Sequence, residues 1–289
     1  VDEDTNFISD LAQQADSNIV VANGKNLNYS GNVFNVGAQM LTLSGAGVFA
    51  NTNYLTLNDP ASSLKLNGIS EVQKVSISAE LASGKLEIAQ NATIENLAHS
   101  GSSRLDINSD KVLTLSNTFE IPQGKLMELV GTGGGILKLD NIIEVSGTLQ
   151  FSAPDYTLQN GTLKLSRGLL DVDNNTIISS YIILEDNSTI DIAQDVNLEY
   201  QGLNLVIYDD QLTFRGSGTF SNSNSIVLSD PNSLLIFAGD ITIALIEVKG
   251  NSATGKGIRV ESAGAKIVNL NFSADTDMAN MGLIFDNDI

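Results

Sequence analysis

The chain has 289 residues, with 34 Asp plus Glu against 15 Lys plus Arg, a formal net charge of −19, no Cys and one His. That charge disfavours nucleic acid and anionic membrane surfaces as electrostatic partners. The lack of Cys excludes disulfides and thiolate metal sites, and a single histidine excludes multi-histidine zinc chemistry.

At the N-terminus, Asp4 or Thr5 is placed to cap a short helix with Phe7, Ile8, Leu11, Ala12 and Ala15 along one side. Residues 1–19 are therefore expected to form a helical cap over the first turn of a downstream repeat, blocking sheet growth there.

From residue 20 to the end, an aliphatic–any–aliphatic triplet returns about every 22 residues, the mark of a stacked repeat. One row reads Leu41/Leu43, Leu64/Leu66, Leu86/Ile88, Leu105/Ile107, Leu149/Phe151, Leu170/Val172, Ile190/Ile192, Leu212/Phe214, Leu234/Ile236 and Ile258/Val260. A second row runs through Leu55/Leu57, Val75/Ile77, Leu113/Leu115 and Tyr156/Leu158, and a third through Ile143/Val145, Leu163/Leu165 and Ile182/Leu184. Each triplet alternates with period two, so its outer side chains point inward and its middle one outward. Three short strands per repeat predict an all-β, single-stranded parallel β-helix over residues 20–289, about 12 coils in one elongated domain. Right-handed coils are expected, because repeats of roughly 19 to 25 residues fit poorly with strict hexapeptide left-handed helices. A lone coil cannot offset its own backbone entropy, so stability has to come from stacking.

The turns between triplets carry Asn67, Asn91, Asn108, Asn117, Asn141, Asn160, Asn175 and Asn187, a residue that tolerates left-handed backbone. Internal Asn ladders are expected from them. His99, beside Ser100, reads as a surface-turn histidine, and Gly131–Gly135 as a flexible corner. Leu234 to Val248 reads as two strands and not as a membrane span, since Asp240 interrupts it. Toward the C-terminus, Gly282–Phe285 still reads as a strand with no cap after it. Leu235 and Ile284 are read there as outward residues of an assembly face.

The outward middle residues of the first row are Thr42, Lys65, Glu87 and Asp106, then Gln150, Asp171, Asp191 and Thr213. Lys65 and Glu87 are expected to pair across coils. Asp171 over Asp191 puts like charges about 4.8 Å apart. Water screening, a bound cation or a raised carboxyl pKa can relieve that repulsion. With Asp173 alongside, the set Asp171, Asp173 and Asp191 is the cation candidate, calcium being the ion considered; no other cofactor is indicated. A carboxyl pair at this spacing also matches retaining glycoside hydrolysis, making Asp171 and Asp191 the alternative catalytic pair.

In its L-x-L coils, its Asn/Gly/Ser turns and its lack of Cys, the chain resembles passenger domains of bacterial autotransporters and filamentous-haemagglutinin-like adhesins. The resemblance is architectural and transfers no functional residue. It implies a secreted protein at the bacterial cell surface. The expectation is a non-enzymatic adhesin or fibre-forming structural solenoid without catalytic residues. Its partner would be a glycan or protein on a host or neighbouring cell, or another copy end to end. The alternative is a glycan-processing β-helix enzyme, a polysaccharide lyase, hydrolase or tailspike-like protein.

Overall fold

In the computed structural model the chain is an all-β parallel β-solenoid of about 12 turns. The structure describes residues 1–80, 82–230, 232–248, 257–272 and 282–285, with the backbone alone for 272 and 282–285. Among them there is no helix, and so none long and apolar enough to cross a membrane. Two compact units, Val1–Ile143 and Glu144–Ile289, are described in turn.

Each turn of the first unit visits three walls. One wall holds Thr5–Phe7, Asn26–Tyr29 and Val48–Asn51, paired in parallel, and then the start of Glu71–Ile77. A second holds Leu11–Ala12, Phe34–Val36 and Leu55–Leu57, then the end of Glu71–Ile77. The third holds Ser17–Val20, Met40–Ser44, Ser63–Asn67, Leu86–Ile88, Ser103–Ile107 and Leu126–Val130. The inward triplet positions are fully buried, as at Leu41, Leu43, Leu64, Leu66, Leu86 and Ile88. Parallel pairing satisfies the backbone of each coil by its neighbours, and the aliphatic layers fill the space between walls.

The first turn departs from the expected helical cap. Residues 1–19 form strands Thr5–Phe7 and Leu11–Ala12 and enter Ser17–Val20, a complete coil. A helix this short is marginal in water, whereas a coil gains pairing along the next turn. Three carboxylates lock it at its corners. Asp4 Oδ1 accepts from the Asn26 N–H at 2.9 Å, Asp10 Oδ1 from Asn32 at 2.7 Å, and Asp16 Oδ1 from Met40 at 2.8 Å.

His99 corrects the surface-turn reading. It ends strand Ala92–His99 on the inward side, only 7% exposed, with Nε2 bonded to Ser103 Oγ at 2.8 Å and the ring edge-on to Phe119. Burial pushes its pKa down to about 4. The folded chain thus binds its proton less readily than the unfolded chain, whose histidine titrates near pH 6.5. Stability from this group is complete above pH 6.5 and is lost as pH falls toward 4, by about 3 kcal/mol in all. His99→Gln keeps a donor near Ser103 and removes the titration. Urea midpoints of parent and variant should therefore diverge between pH 7 and pH 4.5, the parent losing more. Parallel pH profiles would contradict a neutral buried His99.

The second unit repeats the three walls. The first holds Tyr156–Gln159, Thr176–Ile178, Asn197–Tyr200 and Thr219–Asn222, then the start of Thr242–Val248. The second includes Thr162–Ser166 beside Tyr181–Asp186, and Leu205–Ile207 beside Ile226–Leu228. The third holds Thr148–Phe151, Leu169–Val172, Ser188–Ile192, Gln211–Gly216, Leu234–Phe237, Gly257–Val260 and Gly282–Phe285. Leu235, read from sequence as outward, is fully buried and aligned with the buried Leu212. Strand Leu234–Phe237 has four consecutive apolar residues, so its alternation has no readable phase. Packing sets it with Leu235 and Phe237 inward, Phe237 lying 6.5 Å from Phe214. The side chain of Ile284 lies outside the described residues.

The two units share a corner module, and its sequence signal is longer than one coil. Tyr29, Gly31, Gly45, Phe49, Asn51, Asn53, Asp59, Pro60 and Ser62 recur as Tyr200, Gly202, Gly216, Phe220, Asn222, Asn224, Asp230, Pro231 and Ser233, at one constant offset of 171 residues. Asn51 Nδ2 donates to the carbonyls of Asn53 (2.8 Å) and Lys74 (2.5 Å), and its Oδ1 accepts from the Lys74 N–H. Asn222 makes the same three bonds to Asn224 and Leu245. The Ser62 hydroxyl donates to Val36 and Gly37 carbonyls, and that of Ser233 to Ile207 and Tyr208. Rings stack beneath each corner, Tyr29 on Phe49 at 6.3 Å and Tyr200 on Phe220 at 5.9 Å. Gly45 and Gly216 both take positive φ, and a Cβ there would meet a carbonyl oxygen of the preceding turn at about 2 Å.

Candidate functional site

Two outward regions carry chemistry. On the third wall of the first unit, Lys65 pairs with Glu87 at 2.7 Å as expected, and Lys85 bridges Glu87 (3.3 Å) and Asp106 (2.6 Å). Asp106 is itself buried under this bridge. The alternating charges neutralise one another along the column, and pairs of this kind contribute up to about 1 kcal/mol each.

The third wall of the second unit brings Asp171 and Asp191 side by side in register, with Gln150 on the far side of Asp171. Beyond Asp191 the structure corrects the expected column. Its neighbour is Arg215, not Thr213, because Ser188 aligns with Leu212 and Ile190 with Phe214. Arg215 pairs with Asp191 at 3.0 Å, and Gln150 Nε2 donates to Asp173 Oδ2 at 2.8 Å. Asp171 keeps neither of these partners. Desolvation, helped by the charges of Asp173 and Asp191 and opposed by Arg215, pushes its pKa up to about 6. Among the described residues, no group of three or more His, Cys, Asp or Glu is arranged to hold a metal ion. The three candidate aspartates are thus divided: one faces a guanidinium, one accepts from an amide, and one has raised proton affinity.

A second region, which sequence reading did not single out, lies on the first wall of the same unit. The registers Thr157 to Ile177, Ile177 to Glu199 and Glu199 to Ser221 place these four outward residues in one row. Two hollows open on either side of Glu199. One, of about 220 Å³, is lined by Asp155, Asn175, Thr176, Ile177, Asn197 and Glu199. The other, of about 280 Å³, is lined by Glu199, Tyr200, Gln201, Ser221, Asn222, Ser223 and Ala244. They form because the long Glu199 stands between shorter neighbours, with Ser221 and Ala244 making a low floor on one side.

Hydrogen bonds hold the rims. Asn175 Oδ1 accepts from the Asn197 N–H at 2.9 Å, and Asn197 Oδ1 accepts from Ser221 Oγ at 2.8 Å. Gln201 Nε2 donates to Glu199 Oε1 at 2.7 Å. Asp155 sits in left-handed backbone and donates its N–H to the Asn175 carbonyl at 2.8 Å. Below the floor the Tyr200 phenol is buried, which pushes its pKa up to about 12, and its oxygen accepts from the Ile182 N–H. The sequence signal was the row Thr157, Ile177, Glu199, Ser221, visible only once the coil register is known.

No protein-family model, curated protein or solved structure matches the chain. Its outward surfaces are therefore the guide to function.

Proposed function

We propose that the chain is a non-enzymatic extracellular surface protein, an adhesin or structural solenoid of a bacterial cell surface, that makes contacts through its outward walls. The observation that supports this is the pair of open hollows sharing Glu199 on a parallel wall. Their rims are amide, hydroxyl and carboxylate groups, suited to holding a polar surface ligand by hydrogen bonds. Extended walls of this kind are the binding surfaces that solenoids offer. The test is retention of labelled protein on immobilised glycans and on intact cells. Retention that soluble glycan or a protein extract of those cells competes away is the expected result; no retention on any surface would end the reading.

A second reading, a glycan-processing enzyme, is favoured by one observation: the in-register Asp171 and Asp191 have unlike surroundings. Asp171 has raised proton affinity, while Asp191 is ion-paired with Arg215. Carboxyl groups so differentiated can serve as proton donor and as nucleophile or base. Turnover abolished by Asp171→Asn is its test.

A further inference from the structure

We propose that the two hollows flanking Glu199 form one continuous site for a neutral oligosaccharide lying across the strands, along the stacking direction. The inference rests on the surface-binding reading and names its ligand class and its location.

Spacing favours such a ligand. Successive strands of a parallel wall lie about 4.8 Å apart, close to the advance of one hexopyranose unit in an extended chain. Asn175, Asn197 and Ser221 stand on three successive coils, so each sugar unit of such a chain would meet a new polar side chain.

The free donors and acceptors suit it as well. The oxygens of Asn175 and Asn197 are taken by the Asn197 N–H and by Ser221 Oγ. With the oxygens so engaged, the NH2 groups of these amides are the donors left for a ligand's hydroxyl oxygens. Glu199 spends one oxygen on Gln201 and retains acceptor capacity for hydroxyl protons. The Ser223 hydroxyl can do either. Ile177, on the floor of the first hollow, supplies an apolar patch for the C–H face of a sugar ring. Alternating hydroxyl and C–H groups match this mixture.

Charge narrows the class further. Asp155 and Glu199 are acidic, and among the described residues no basic side chain lines either hollow. An anionic glycan would be repelled, so the ligand is neutral. Because Glu199 stands between the hollows, a chain occupying both must cross it, which makes Glu199 the central contact.

The experiment is calorimetric titration of the parent chain with cellotetraose, maltotetraose, laminaritetraose and fully N-acetylated chitotetraose, with tetragalacturonate as the anionic control. Binding of at least one neutral tetrasaccharide and none of tetragalacturonate is expected. Glu199→Ala should weaken that binding by about tenfold, the loss of a charge-assisted hydrogen bond. Ser221→Trp should abolish binding by filling the second hollow, with circular dichroism and melting temperature checking that both variants fold. Binding indifferent to both variants would overturn this site and leave the surface-binding reading standing. Equal affinity for tetragalacturonate, or no heat with any neutral sugar while the protein is still retained on cells, would also overturn it. Absence of sugar binding together with absence of retention would remove both.

Discussion

Asn51→Ala is expected to destabilise the chain by about 3 to 5 kcal/mol, more than any outward substitution. The side chain is fully buried, and its three hydrogen bonds are made to backbone groups that turn the corner between the first and second walls. Removing it leaves the Asn53 and Lys74 carbonyls and the Lys74 N–H without their partner. Each part-buried group so stranded costs up to about 1 to 3 kcal/mol, part of which is recovered where water enters. Urea unfolding should show a large drop in midpoint. Asn222→Ala, which removes the same three bonds in the second unit, should behave alike. A loss below about 1 kcal/mol in both variants would mean that these corners are not held by their asparagines.

Asp171→Asn is expected to act in the opposite direction and to depend on pH. Its carboxyl has a pKa raised from 3.8 to about 6, chiefly by desolvation. The folded chain therefore holds this proton more tightly than the unfolded chain between those values. The group's contribution to stability is complete below pH 3.8 and is lost as pH rises through 6. At pH 7 to 8 the parent carries a charge that its surroundings disfavour, at a cost of about 2 kcal/mol once solvent screening is allowed for. Asn keeps the shape and removes the charge. The variant should melt higher than the parent at pH 7.5 and converge with it near pH 4. Equal melting at pH 7.5 would show that Asp171 is not strained by its neighbours. A calcium-dependent rise in the parent's melting temperature, absent in the variant, would show a cation relieving the repulsion.

These opposite slopes separate two groups that look unremarkable or merely crowded in the sequence. His99 loses stability toward acid, and Asp171 loses it toward neutral pH. Neither direction follows from residue type alone. His99 shares the inward phase of Leu97, two residues before it, but polar side chains at strand ends are usually solvated.

The coil architecture was legible because period-two alternation and a repeat of about 22 residues are one-dimensional signals. Cross-coil pairing was legible where triplets align without ambiguity, as at Lys65 and Glu87. It failed where several alignments bury similar side chains. The run Leu234 to Phe237 is apolar throughout, so its phase was set by the packing of Phe237 near Phe214. Strand Ser188–Ile192 accepts Leu212 either beside Ile190 or beside Ser188, and the chosen register brings Arg215 to Asp191. The N-terminal apolar spacing suits a helix face, but three aspartates six residues apart serve coil corners instead. Buried Asn51 and Asn222 resemble solvated turn asparagines until their recurrence, with Tyr, Gly, Phe and Ser at the same offset, is seen. The hollows beside Glu199 needed register and side-chain length together.

Binding without turnover is the central claim, and one measurement addresses it directly. Parent and Asp171→Asn chains are incubated in wells coated with a panel of neutral polysaccharides, and new reducing ends and retained protein are read from the same wells. The expected result is retained protein, equal for the two chains, with reducing ends at the blank level. Reducing ends that rise with the parent and fall to blank with Asp171→Asn would contradict the claim and assign the chain to the glycan-processing enzymes.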